Sequence, residues 1–132
     1  MIKLNLGYVV LPVDGKLLDD VRRWYETQLG LDHVLEDDDR YMLAGKNGFA
    51  VEFRKGTPLR NPERVVLAFS TDDADVIFNR MRETRLLEFG PKQTDRGLRV
   101  LRLRDPAGHT VEVFEVDLEH EAEGLTNKRR ES

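Results

Sequence analysis

Thr110-Val111-Glu112-Val113-Phe114 sets one carboxylate between valines at the end of an apolar run, and Phe49-Ala50-Val51-Glu52-Phe53 repeats the pattern earlier in the chain. What precedes each run is also repeated. The first pass offers the β-like run Tyr8-Val9-Val10-Leu11, an amphipathic helix over residues 21–29, and further β-like runs ending at Glu52. The second offers Val65-Val66-Leu67-Ala68-Phe69, a helix over residues 74–84, and β-like runs ending at Glu112. The distance along the chain from opening strand to glutamate is nearly the same in both passes, so the sequence reads as one βαβββ unit written twice. The expected fold is α+β: two tandem βαβββ modules forming a curved mixed sheet around a cleft, with Glu52 and Glu112 at equivalent positions on its floor. Module one covers about residues 1–57 and module two about 62–117. Residues 1–117 form a single domain, and 118–132 form a charged tail.

The bulk composition sets bounds. The 132 residues are enough for one domain with a real core. The chain is 39% hydrophobic and 35% charged, and no apolar run approaches the roughly 20 residues of a membrane span. It has no cysteine, which excludes disulfides and thiolate metal sites and makes a cytoplasmic setting the default. A net charge of −4 argues against nucleic acid as a partner, which favours a basic face.

Local signals place the elements. Leu17, Leu18, Val21, Trp24, Tyr25, Gln28 and Leu29 recur near helical spacing, with Trp24 and Tyr25 as core or dimer-contact aromatics, and Gly30 suits the left-handed cap that ends the helix. Pro12 lacks a ladder donor and suits an edge strand or a strand end. Residues 31–35 read as a short strand, 36–39 as an acidic hairpin, and 41–44 and 49–54 as strands joined by a Gly/Asn turn. Residues 56–62 read as a linker. Thr71, Asp72 or Asp73 caps the second helix. Residues 86–89 are a brief apolar strand that Gly90-Pro91 ends, and Asp105-Pro106-Ala107-Gly108 is a tight turn.

Alternation then assigns faces. Val111 and Val113 turn toward the helices, as do Phe49, Val51 and Phe53. Thr110, Glu112 and Phe114 take the other face, with Ala50, Glu52 and Arg54 matching them. Tyr8 and Val10 share that side, as do Arg64, Val66, Ala68 and Ser70, and Val100, Arg102 and Arg104. The candidate site therefore holds Glu52 and Glu112, with Tyr8, as catalytic candidates, and Arg54, Arg64, Arg102, Arg104 and Phe114 as ligand-binding candidates. The three histidines fall outside it: His33 on a hairpin, His109 in a surface turn and His120 in the tail.

Several of these residues resemble the vicinal-oxygen-chelate superfamily of glyoxalases, bleomycin-resistance proteins and extradiol dioxygenases. Tyr8-Val9-Val10-Leu11-Pro12-Val13 is similar to its opening strand. Trp24-Tyr25-Glu26-Thr27-Gln28-Leu29-Gly30-Leu31 is similar to its helix end, and Asp105-Pro106-Ala107-Gly108-His109-Thr110-Val111-Glu112-Val113 to its closing hairpin. The resemblance implies a divalent metal held, in metal-dependent members, by one residue from the first strand and one Glu from the last strand of each module. Those positions fall on Tyr8 and Glu52, and on Val66 and Glu112. A valine cannot ligate, and a phenol with a reference pKa near 10 is a poor ligand near neutrality. No cofactor is therefore expected, and any divalent ion would rest on Glu52 and Glu112 alone. The resemblance further implies a homodimer. The expected function is binding of a small anionic or aromatic molecule without the usual metal. The alternative is a metal-dependent lyase, isomerase or dioxygenase with a rearranged site. A third class, an interaction domain using its acidic hairpin and tail, has no feature of its own in the sequence.

Overall fold

The computed structural model describes residues 2–4, 7–46 and 49–116. The chain runs β1 (Tyr8–Val13), α1 (Leu18–Gln28), β2 (Asp32–Asp37), β3 (Arg40–Ala44), β4 (Ala50–Lys55), β5 (Val66–Ser70), α2 (Ala74–Met81), β6 (Leu87–Gln93), β7 (Leu98–Arg104) and β8 (Thr110–Val116). A short 3-10 turn, Pro62–Arg64, lies between β4 and β5. The strands form two four-stranded sheets, ordered β1-β4-β3-β2 and β5-β8-β7-β6. In each, the opening strand runs parallel to the closing one and the other pairings are antiparallel. The fold is α+β with two βαβββ modules, as the repeat in the sequence requires.

Two compact units result. One takes the described residues up to Val65 together with Asp105–His109; the other takes Val66–Arg104 and the described residues from Thr110 onward. In the first, Val13, Val21, Tyr25, Leu43 and Phe53 are fully buried, and Trp24 is nearly so. Their burial follows from α1 laying its apolar stripe on one face of β3 and β4, at the centre of the sheet. In the second, Ala74, Met81, Leu101, Leu103 and Val111 are fully buried between α2 and its sheet. Asp73 caps α2 through its side chain, which accepts from the Asp75 amide at 3.0 Å. Gly30 ends α1 at φ +69°, and the Leu31 amide returns to the Tyr25 carbonyl.

Four local expectations need correction. The acidic hairpin is narrower than its run of charges, because β2 continues to Asp37. Asp37 makes this tolerable by accepting from the Asp39 amide at 2.9 Å and from Arg40 Nε at 2.8 Å. Those contacts, the Asp39 amide first, hold its carboxyl below the usual range. Phe49 precedes β4 and is exposed rather than packed toward the helix. Gly90-Pro91, a cis bond, does not end β6, which continues to Gln93. β6 is an edge strand, so a missing N–H on its free side breaks no ladder. Gly90 sits at φ +110°, and a Cβ there would lie 2.5 Å from the Val100 carbonyl oxygen. Finally, Arg64 belongs to the 3-10 turn, not to β5, so strand alternation cannot be carried back to it. The tail, with His120, lies outside the described residues.

Candidate functional site

Each sheet has one face under its helix and one open face. Residues paired across neighbouring strands point to the same side. In the first sheet, one cross-strand row on the open face is Val10, Glu52, Met42 and Leu35, and the next is Pro12, Arg54, Arg40 and Asp37. Glu52 is fully buried. Arg54 grips its Oε2 with Nε at 2.8 Å and Nη2 at 2.6 Å. Arg40 Nη1 stands 3.7 Å from Oε1, beyond hydrogen-bond range, and that oxygen has no hydrogen-bond partner among the described residues. Asp37 holds Arg40 above its ordinary pKa, by its hydrogen bond first and its charge second; Glu52 and Tyr8 add smaller amounts. Tyr8 lies beside Ala50 in register and is 47% exposed.

In the second sheet the matching rows are Ala68, Glu112, Arg102 and Phe89, then Ser70, Phe114, Val100 and Lys92. Glu112 keeps 27% of its side chain exposed and accepts from Arg102 Nη2 at 2.6 Å. Arg104 lies on the same face, paired with Glu88 and donating from Nη1 to Thr110 Oγ1 at 2.7 Å. The Phe89 ring has two cations beside it: the Arg102 guanidinium carbon at 5.2 Å and Lys92 Nζ at 5.8 Å from its centroid.

The candidates chosen from sequence are thus partly brought together. Arg54 meets Glu52, and Arg102 meets Glu112. Phe114 and Arg104 share the open face of the second sheet with Glu112, and Tyr8 shares that of the first with Glu52. Arg64, on its exposed 3-10 turn, is on neither sheet. Arg40, Phe89 and Lys92 were missed. Arg40 is two residues from β3's apolar centre and could have been found by continuing the alternation through Met42. Phe89 and Lys92 depend on irregular pairing in β6 that no alternation reveals.

The donor set does not fit the tight metal site that the resemblance implies. The first-strand positions present a phenol, Tyr8, and a hydrocarbon, Val66, and guanidiniums occupy both glutamates. Among the described residues no three His, Asp or Glu side chains cluster as metal ligands. His33 pairs with Leu43 on the helix side of its sheet, with Nδ1 3.4 Å from Glu26 of α1.

His109 is not at the surface, as the sequence suggested, but buried. Its Nδ1 lies 2.6 Å from Asp105 Oδ2, and the same oxygen accepts from the Tyr25 hydroxyl at 2.6 Å. Asp105 Oδ1 accepts the amides of Ala107 and His109 at 2.9 and 3.0 Å. Burial first, then the charge and hydrogen bond of Asp105, push the Tyr25 phenol well above its ordinary pKa. The carboxylate is thus saturated by donors within its own unit, which makes it an anchor for the turn.

Three solved structures show the breadth of proteins with this fold. TnmS3, an antibiotic binding protein from Streptomyces sp. CB03234, is 21% identical, with a TM-score of 0.72 over 88% of this chain and 98% of its own. Lactoylglutathione lyase from Agrobacterium tumefaciens is 21% identical, with a TM-score of 0.66 over 86% and 95%. A virulence protein from Salmonella typhimurium is 20% identical, with a TM-score of 0.66 over 88% and 99%. No curated protein matches in sequence. Among the described residues no helix is long and apolar enough to cross a membrane. The family model for the Glyoxalase/Bleomycin resistance protein/Dioxygenase superfamily matches residues 6–113, and the chain belongs to that superfamily.

Proposed function

We propose that this protein binds a small anionic or aromatic molecule and does so without a tightly held metal ion. One observation carries the reading: each glutamate at the family's ligand position is already neutralised by a guanidinium, Arg54 on Glu52 and Arg102 on Glu112. A cation would have to displace those arginines and then find only carboxylates, with no imidazole to complete a soft or borderline-metal site. The arginines suit carboxylate or phosphate groups, which their planar N–H forks bind by charge-assisted hydrogen bonds. Tyr8 and Phe114 supply apolar area beside them. The fold alone does not choose between binder and enzyme; a relative described as an antibiotic binding protein supports the binder. Family membership supports pairing of two chains, which light scattering would check.

The test has two arms on the tag-free protein. Calorimetry with Ni²⁺, Zn²⁺, Fe²⁺, Mn²⁺ and Mg²⁺ is expected to show no stoichiometric binding at micromolar affinity. A thermal-shift panel of carboxylates, phosphates, phenols and neutral aromatics is expected to raise the Tm with at least one compound. Stoichiometric metal binding lost in Glu52→Ala and Glu112→Ala would replace this reading with a metal-dependent enzyme.

A further inference from the structure

Phe89 and Lys92 are three residues apart, so a regular strand would send them to opposite faces. They do not go there. Phe89 pairs with Arg102 and Lys92 with Val100, two positions apart on β7, because the register of β6 shifts between them. An extra residue in an edge strand re-aims side chains in this way. Gly90 makes the shift sterically feasible, since any Cβ there would strike the β7 backbone. The outcome is an aromatic ring, 37% exposed, with a cation on each of its neighbours and the apolar side chains of Val100 and Phe114 in the adjoining row.

The charge on this face is unbalanced. Glu112 neutralises Arg102 through Nη2, but Arg102 Nε is a buried donor with no hydrogen-bond partner among the described residues. Among those residues no carboxylate pairs with Lys92 either. Arg102 Nε is out of solvent's reach, but 39% of the Arg102 side chain is exposed, and there an arriving oxygen anion would meet its charge. The first sheet offers no such surplus at the matching positions. There Leu35 stands for Phe89 and Asp37 for Lys92, and Arg40 and Arg54 are opposed by Asp37 and Glu52.

We infer that the open face of the second sheet binds a planar aromatic carboxylate, its ring against Phe89 and Phe114 and its anionic group toward Lys92 and Arg102. The inference rests on the binding role proposed above and names the ligand class and the sheet. Aromatic rings stack on one another with modest gain, and an apolar platform beside an unopposed cation selects an anion with a flat apolar body.

The probe is 2-naphthoate, titrated into isotope-labelled protein and followed by NMR, with 2-naphthamide as the uncharged analogue. Saturable shifts are expected at the Val100 amide and the Arg102 Nε–H. Lys92→Gln is expected to weaken binding about fivefold, the scale of one exposed ion pair, and Phe89→Leu about three- to tenfold. The amide should bind more weakly than the acid, and Lys46→Gln, an exposed charge in the other unit, should change nothing. Dispersed spectra of each variant confirm folding. Shifts confined to the first sheet, or affinity unchanged in both Lys92→Gln and Phe89→Leu, overturn the inference and leave small-molecule binding standing. So does binding of other panel compounds with none by 2-naphthoate. No binding by any compound overturns both.

Discussion

On the open face of the first sheet the glutamate row is Val10, Glu52, Met42 and Leu35; on the second it is Ala68, Glu112, Arg102 and Phe89. The next rows differ more: Pro12, Arg54, Arg40 and Asp37 against Ser70, Phe114, Val100 and Lys92. Across both pairs of rows the glutamate alone is identical. The strand order, the parallel pairing and the apolar helix side are meanwhile the same in both modules. Burial explains the contrast. A helix-side residue must fill a packed core, where even one methylene is felt, whereas an open face tolerates any residue that water or a ligand can meet. The two glutamates have parted accordingly. Glu52 is sealed beneath arginines and acts as internal structure, while Glu112 keeps part of its carboxylate in the open.

The largest expected effect tests another pair, the turns before the two closing strands. Asp105→Ala removes the acceptor of Tyr25, His109 and two amides, and should cost roughly 3–5 kcal/mol, as breaking a buried pair does. Lys46→Ala, an exposed side chain between β3 and β4, should stay within about 0.5 kcal/mol. Urea denaturation compares them, and similar losses would mean that the two turns are held alike.

Next comes Arg54→Ala. It strips the guanidinium from Oε2 of a fully buried carboxylate and should cost about 3 kcal/mol, read from the same denaturation curves. Arg40, at 3.7 Å, remains to limit the loss. Tyr25→Phe should cost about 2 kcal/mol, the scale of a hydrogen bond to a charged group. It also predicts a pH dependence. The folded phenol keeps its proton where the unfolded one, near pKa 10, releases it. Its contribution is complete below about pH 10 and falls as pH rises further, because the native state then binds more protons than the unfolded one. Phenolate absorbance of the folded protein near pH 10 should therefore be the same in parent and Tyr25→Phe; a lower signal in the variant would show that Tyr25 titrates freely. Among the ion-pair and hydrogen-bond variants the smallest effect is expected at Arg102→Ala, below about 1 kcal/mol, since both partners reach solvent. A loss matching that of Arg54→Ala would erase the distinction between the two glutamates.

Much of the fold was legible because it rests on local rules. Period-two alternation at Val51 and Phe53, and at Val111 and Val113, gave the core faces, and the repeat gave the topology. The pairing of Arg54 with Glu52 was legible too, since residues two apart on a strand share a face. Arg102 with Glu112 followed from the same rule on two strands. What stayed hidden depends on registers and distances along the chain. Gly90-Pro91 read as a stop, because no local rule says that β6 lies at an edge. Arg64 read as strand, because Val65 and Val66 hide the 3-10 turn before them. His109 read as surface, because its partners are distant along the chain: its ring lies 6.2 Å from that of Phe53, and the Asp105 carboxylate it shares is reached by Tyr25, 80 residues away.

That separation has a consequence for how the protein comes into being. Synthesis proceeds from the N-terminus, so Tyr25 leaves the ribosome long before the carboxylate it donates to. The first unit cannot close its polar seat until residues 105–109 exist, by which time most of the second unit has also been made. Long-range closure of this kind is slow, and it ties the completion of one half to the synthesis of the other. A gene cut within residues 56–61 would not yield two independent halves: the N-terminal piece would carry an unsatisfied phenol in its core until it met the hairpin tip encoded in its neighbour.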